Sequence, residues 1–70
     1  MKYVGIKQVL KAVNSDEVQK VYIGKDAEPH VVSALLKTCR EKKIKVIEVS
    51  SMEELGKMAG IEVKAATAAE

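Results

Sequence analysis

The sequence predicts an α/β domain, and three observations carry that prediction. Between Val18 and Val49 a β-branched run, a helical stripe and a second alternating run follow one another, the order of a βαβ unit. The chain is 47% hydrophobic with two Tyr as its only aromatics, so the core must be assembled from Val, Ile, Leu, Ala and Met. Two flanking segments, one before Val18 and one after Val49, repeat apolar residues at the spacing of helices that bury one face.

Taken in order, Tyr3 and Val4 suit the stub of an edge strand ahead of Gly5. From Gly5 to Asn14, Ile6, Val9, Leu10 and Val13 recur at intervals of three and four, while Lys7, Lys11 and Asn14 line another side with Gln8 beside Lys11. This helix should end near Asn14, because Asn14, Ser15 and Asp16 all compete for backbone hydrogen bonds. Val18 to Ile23 reads as a strand that Gly24 terminates. The turn KDAEP follows, with Pro29 suited to the first helical position and Asp26 and Glu28 placed to complement the helix dipole.

The second helix is expected from Pro29 to about Lys42, with Val32, Leu35, Leu36 and Cys39 on its core stripe. Ile44 to Val49 alternates as a second strand, parallel to the first and joined to it by a right-handed crossover. Ser50 or Ser51 should cap a third helix in a capping box with Glu53 or Glu54, and Met52, Leu55, Met58 and Ala59 should form its buried face. Gly60 stands where a left-handed residue ends such a helix. The small residues Ala65 to Ala69 fit a last strand lying close under helices, although alanine is a poor strand former.

Seventy residues amount to one small domain, residues 1–70, and such a chain buries only about 60% of the surface its unfolded form exposes. A deep enclosed active site is therefore not expected. The net charge of +2 does not by itself argue for nucleic acid, but its distribution is uneven: Lys2, Lys7 and Lys11 precede the first acid, Asp16. A single Cys forms no intramolecular disulfide, no apolar run reaches the roughly 18 residues of a membrane span, and no signal-peptide pattern is present. A reducing, cytoplasmic location without membrane attachment is the expectation.

Gly24, Gly56 and Gly60 are isolated and form no nucleotide-binding loop, so no cofactor is expected. His30 and Cys39 have no further Cys or His to complete a metal site. They are also a poor nucleophile and base pair, since Cys39 lies on an apolar stripe, and no catalytic residue is expected. Lys7, Gln8 and Lys11 admit two interpretations, a solvated helix face or a nucleic-acid contact. Lys can donate to guanine O6 and N7 or to phosphate, and Gln can donate and accept on a base edge. Without an aromatic stacking platform, such a contact would suit a structured groove better than splayed bases. Ile61 and Val63 are likewise open: strand residues under a helix, or a loop able to pack on an unstacked base.

Together, Gly5, Lys7, Gln8 and Lys11 within GIKQVLKAV, KDAEP at 25–29 and LGKMAGIEV at 55–63 resemble the ribosomal protein L7Ae family of kink-turn RNA-binding proteins, in its short bacterial form. The resemblance spans nearly the whole chain. It implies a three-layer α/β/α sandwich around a mixed, mostly four-stranded sheet. It further implies a non-enzymatic protein that binds kink-turn RNA at tandem sheared G·A pairs, in ribosomal RNA, a riboswitch or another structured RNA, and stabilises the kinked form.

On that resemblance Gly5 permits backbone approach, Lys7 and Gln8 read guanine edges, and Lys11 supports them or holds phosphate. Ile61, Glu62 and Val63 form the loop covering a flipped-out nucleotide, and Glu28 and Val32 border its pocket. Archaeal and eukaryotic members carry Asn and Glu where this chain has Lys7 and Gln8, whereas bacterial members resemble this pair. The expected partner is RNA and not DNA, bound by a monomer that is cytoplasmic and either free or ribosome-associated. A different class of function, a ribosome-associated protein-interaction module anchored by the apolar 61–63 loop, fits the same residues.

Overall fold

In the computed structural model, which describes residues 1–70, the two-residue strand β1 (Tyr3–Val4) passes through Gly5 into α1 (Ile6–Asn14). The helix stops where its sequence turns polar: Ser15 N–H closes back on Lys11 O at 3.0 Å, and Asp16 takes a positive φ of 56°. Strand β2 (Lys20–Gly24) begins two residues later than Val18, which is buried in the connection instead. Pro29 opens α2 (Pro29–Glu41) at the position where its missing N–H is harmless. A Lys42 Nζ to Asp16 Oδ1 ion pair of 2.8 Å ties the end of α2 to the turn after α1. Strand β3 (Lys45–Val49), helix α3 (Met52–Met58) and strand β4 (Thr67–Ala69) complete the chain.

The sheet order is β1-β4-β2-β3. Strands β2 and β3 are parallel, as a βαβ unit requires, with Val21 beside Val46 and Ile23 beside Glu48. Strand β4 runs antiparallel to both neighbours, Ala68 lying between Val4 and Tyr22 and Ala69 between Tyr3 and Val21. The sheet is therefore mixed and four-stranded. Its three-residue alanine-rich strand is not peripheral but central, and every residue of it is buried. Side chains no larger than Thr let helices approach both faces there, a packing gain that offsets alanine's low strand propensity.

Alternate residues of each strand feed two separate cores, which defines three layers. Val21, Ile23 and Ala69 pack with Val9, Ala12 and Val13 of α1 and Val32, Leu35 and Cys39 of α2. On the reverse face Val49, Ala65 and Ala68 surround Leu55 of α3, with Val4, Tyr22 and Ile61 at the margin. Helix α1 thus buries Val9 and Val13 as its spacing predicts, adds Ala12, and leaves Ile6 and Leu10 half-exposed.

Three expectations need correction in α3 and its surroundings. Met58 does not join the buried face; it is 46% exposed, and the buried pair is Leu55 and Gly56. The helix is only seven residues long, and the returning chain at 63–65 packs against its Gly56 side, which turns Met58 outward. Asp26 does not serve the dipole of α2, whose first turn holds no acid; its Oδ1 accepts the Met52 N–H of α3 at 2.7 Å. Ser51 is the N-cap of α3 and accepts from Glu54 N at 3.0 Å. The reciprocal glutamate bond of a capping box is not formed, and Glu53 lies 3.9 Å from Lys57. Gly60, at φ 78°, ends the helix as expected, with Gly60 N–H on Lys57 O and Ile61 N–H on Gly56 O.

Candidate nucleic-acid interface

Strand register brings three connecting segments to one rim of the sheet. Gly5 N–H donates to Thr67 O at 2.9 Å as β1 gives way to α1, and Gly24 N–H donates to Ala66 O at 3.0 Å as β2 ends. Because β4 runs antiparallel to both, its entry loop lies between those two exits. The start of α1, the 25–28 turn and the 61–66 segment therefore share this rim. Strand β3 ends on it too, since Lys25 N–H donates to Val49 O at 2.8 Å.

Gly5 is the N-cap of α1, with φ 97° and ψ 151°, a conformation that side-chain-bearing residues rarely adopt. No side chain caps this helix, and a Cβ at Gly5 would meet nothing within 4 Å. Val9 N–H is the first to close on Gly5 O, which leaves the N–H groups of the first turn facing outward, an arrangement that favours anions. Lys7, Gln8 and Lys11 are all exposed, and neither Lys has a carboxylate within ion-pair distance. A basic group free of an internal partner loses no bond on meeting an external acceptor.

In the second segment Glu28 is exposed at the start of α2 and its Oε2 lies 3.2 Å from His30 Nε2. Val32 is turned into the core with 5% of its surface exposed, so it supports this wall from beneath. The apolar group that the start of α2 presents outward is Val31, 37% exposed, which lies off the core stripe of that helix. In the third segment residues 61–66 form a loop and not a strand. Ile61 is half-buried at the edge of the Leu55 core, Glu62 is exposed, and Val63 is 69% exposed. The candidate residues thus fall into an exposed set (Lys7, Gln8, Lys11, Glu28, Glu62, Val63) and a supporting set (Gly5, Ile61, Val32).

Two residues that hold this rim together escaped sequence reasoning. Asp26 fastens the turn to α3, and Gly56 lets the 61–64 backbone lie on the same helix. Asp26 carried the signal of a negative charge near a helix start but no indication that the helix it serves is α3. Gly56, a lone glycine inside a helical pattern, was a detectable sign of close backbone approach.

The other chemistry lies elsewhere. Cys39 is buried, and burial pushes its thiol pKa up, whereas His30 is exposed beside Glu28. A shallow cavity of about 310 Å³ sits at the opposite rim, lined by Glu17, Gln19, Lys20 and Glu70. There Tyr22 OH donates to Glu70 Oε1 at 2.8 Å, and that hydrogen bond, with desolvation and the negative charge, raises the phenol pKa. No group of three or more His, Cys, Asp or Glu is arranged to hold a metal, and no helix is long and apolar enough to cross a membrane.

These features define a class of small α/β/α sandwich domains in which connecting segments along one sheet rim, and not an enclosed pocket, carry the polar and apolar groups available to a partner. Within that class the chain belongs to the ribosomal protein L7Ae/L30e/S12e/Gadd45 family, whose model matches residues 3–70. It is 55% identical over 67 residues to an RNA-binding protein of Caldanaerobacter subterraneus subsp. tengcongensis, covering 96% of this chain and 82% of that protein. It is 50% identical over 66 residues to an RNA-binding protein of Halalkalibacterium halodurans, covering 94% and 80%. Among solved structures, the Giardia lamblia 15.5kD RNA binding protein superposes with a TM-score of 0.86 at 28% identity. That match covers 94% of this chain but 56% of the Giardia chain. A Bacillus halodurans protein described as of unknown function gives a TM-score of 0.81 at 31% identity, covering 91% of this chain and 65% of that one.

Proposed function

We propose that this chain is an RNA-binding protein that recognises kink-turn motifs and stabilises their bent form without catalysing a reaction. The observation that carries the proposal is the convergence of the α1 start, the 25–28 turn and the 61–63 loop on one rim through the register of β4 with β1 and β2. Family membership and the RNA-binding names of its relatives support it. In the proposed complex Gly5 allows the backbone to approach the groove, Lys7 and Gln8 address guanine edges at the sheared G·A pairs, and Lys11 holds phosphate or supports them. Ile61, Glu62 and Val63 cover the unstacked nucleotide, while Glu28, backed by Val32, borders its other side. A ligand that prefers the kinked RNA shifts the RNA only by its differential affinity for that state, which assigns the protein's work to selective binding. Residues 1–70 act here as a single domain and a single copy.

The alternative of a protein-interaction module anchored by residues 61–63 finds less support. Ile61 is half-buried, so Val63 alone projects, and an isolated exposed apolar side chain needs no partner. The test is a titration of a kink-turn duplex against the same duplex with its G·A pairs made Watson–Crick, at moderate and high salt. A clear preference for the kink-turn at both is the expected result. Equal affinities would reduce the interaction to charge attraction and refute the proposal.

A further inference from the structure

We infer that Asp26 and Gly56 are positioning residues that set the gap between the two walls of the proposed nucleotide pocket, with α3 as the spacer between them. The inference rests on the kink-turn proposal above and assigns neither residue a contact with RNA. One wall is the turn ending at Glu28. Its Asp26 Oδ1 accepts the N–H of Met52, the first residue of α3, at 2.7 Å. The turn also starts flush against that residue, since a Cβ on Gly24 would lie 2.7 Å from Met52 Cγ and 2.8 Å from Met52 Cα and N.

The other wall is the 61–63 loop. A Cβ on Gly56 would collide with the Val63 carbonyl oxygen and stand 3.1 Å from Val63 C and 3.2 Å from Lys64 Cα. All three atoms are backbone, so no rotamer change relieves the clash. The loop is also bonded to the helix at both ends, Ile61 N–H to Gly56 O and Ala65 N–H to Met52 O, each at 3.0 Å. Both walls are therefore referenced to a single stretch of α3. The rise from Met52 to Gly56 is four residues of helix, about 6 Å, and a helix is stiff over that distance. Gly56→Ala must push Val63 off the helix, and Asp26→Ala releases the opposite wall, while the start of α1 rests on Thr67 and is untouched by either change.

The test compares wild type, Gly56→Ala, Asp26→Ala and Asp26→Asn on three RNAs: a kink-turn, the same kink-turn with its loop nucleotide made abasic, and the Watson–Crick control. Urea unfolding of each protein accompanies the titrations. Wild type is expected to lose affinity when the base is removed. Gly56→Ala should bind the intact kink-turn about tenfold more weakly, lose nothing further on the abasic RNA, and still prefer both to the control. Asp26→Ala should behave likewise, and Asp26→Asn, which keeps an oxygen acceptor, should recover much of the loss. A merely stabilising role would weaken all three RNAs in proportion and leave the base dependence intact. A wild type that discriminates, beside a folded Gly56→Ala or Asp26→Ala that keeps its base dependence, overturns this inference alone. A wild type that binds all three RNAs alike overturns the kink-turn proposal and this inference with it. Should Gly56→Ala fail to fold, the Asp26 pair carries the same comparison.

Discussion

Replacing Lys7 and Gln8 by alanine, singly and together, separates affinity from stability because of how the two side chains sit. Both are exposed in the first turn of α1, and neither makes a side-chain hydrogen bond or ion pair within the protein. Alanine is at least as good a helix former as either, so unfolding free energies should stay within about 0.5 kcal/mol of wild type. If the two side chains read bases, each truncation should cost about 1 to 3 kcal/mol of binding, a factor of roughly 5 to 150 in Kd. Lys11→Ala is the useful contrast. A phosphate contact weakens binding to every RNA and lowers the salt slope by about one unit, without changing the preference for G·A pairs. Titrations of the kink-turn and its Watson–Crick control at three or more salt concentrations, with urea unfolding in parallel, read all of these quantities. Undiminished preference for the kink-turn in the double variant would refute base reading by this helix and return Lys7 and Gln8 to a solvated face.

Leu55→Ala should cost about 2 to 5 kcal/mol, a large share of what a domain of this size has, because Leu55 is fully buried and is the largest member of a four-residue core; a urea midpoint near that of wild type would mean the reverse face is not a packed layer. Gly60→Ala should lose about 1 to 2 kcal/mol purely from its φ of 78°, since a Cβ there meets nothing, and Gly60→Asn should lose less; equal thermal stability of alanine and glycine would rule out a left-handed residue. Cys39 should react with thiol reagents only as fast as the protein opens. Its folded pKa is raised by burial, so the stabilisation is complete below the unfolded value near 9.0 and disappears as pH climbs through the folded value. The stability difference between wild type and Cys39→Ala, followed by urea unfolding from pH 8 to 10, should shift against wild type at the alkaline end; a constant difference would contradict a buried thiol.

Much of the fold was legible because its signals are local. The spacing of Val9 and Val13, the β-branched run before Gly24, Pro29 at a helix start and Gly60 at a helix end each state their own conformation. What sequence could not supply were partners chosen at long range. Asp26 was expected to complement the dipole of the helix that follows it, yet its carboxylate accepts from the first N–H of one that begins 26 residues later. Met58 had the right spacing to be buried, but on a two-turn helix the side that counts is decided by the chain crossing it, here residues 63–65. At the candidate site, the outward direction of Lys7, Gln8 and Lys11 followed from periodicity. Whether 61–63 was strand or loop did not, because alternation of two apolar residues fits either. The division of Val31 and Val32 between surface and core likewise depended on how α2 is rotated against the sheet.

The central position of β4 also has a consequence for the order of folding. Tyr3 pairs with Ala69, so β1 has no neighbour in the sheet until residue 69 has been synthesised. Closing a loop of that length before its pairing energy is gained makes the step slow and strongly cooperative. The βαβ unit can assemble earlier, but Gly5 and Gly24 acquire their acceptors, Thr67 O and Ala66 O, only when the final strand inserts between them. Completion of the sheet and assembly of the rim are thus one event: a nascent or clipped chain lacking β4 displays a loose basic segment, not a weaker version of the site.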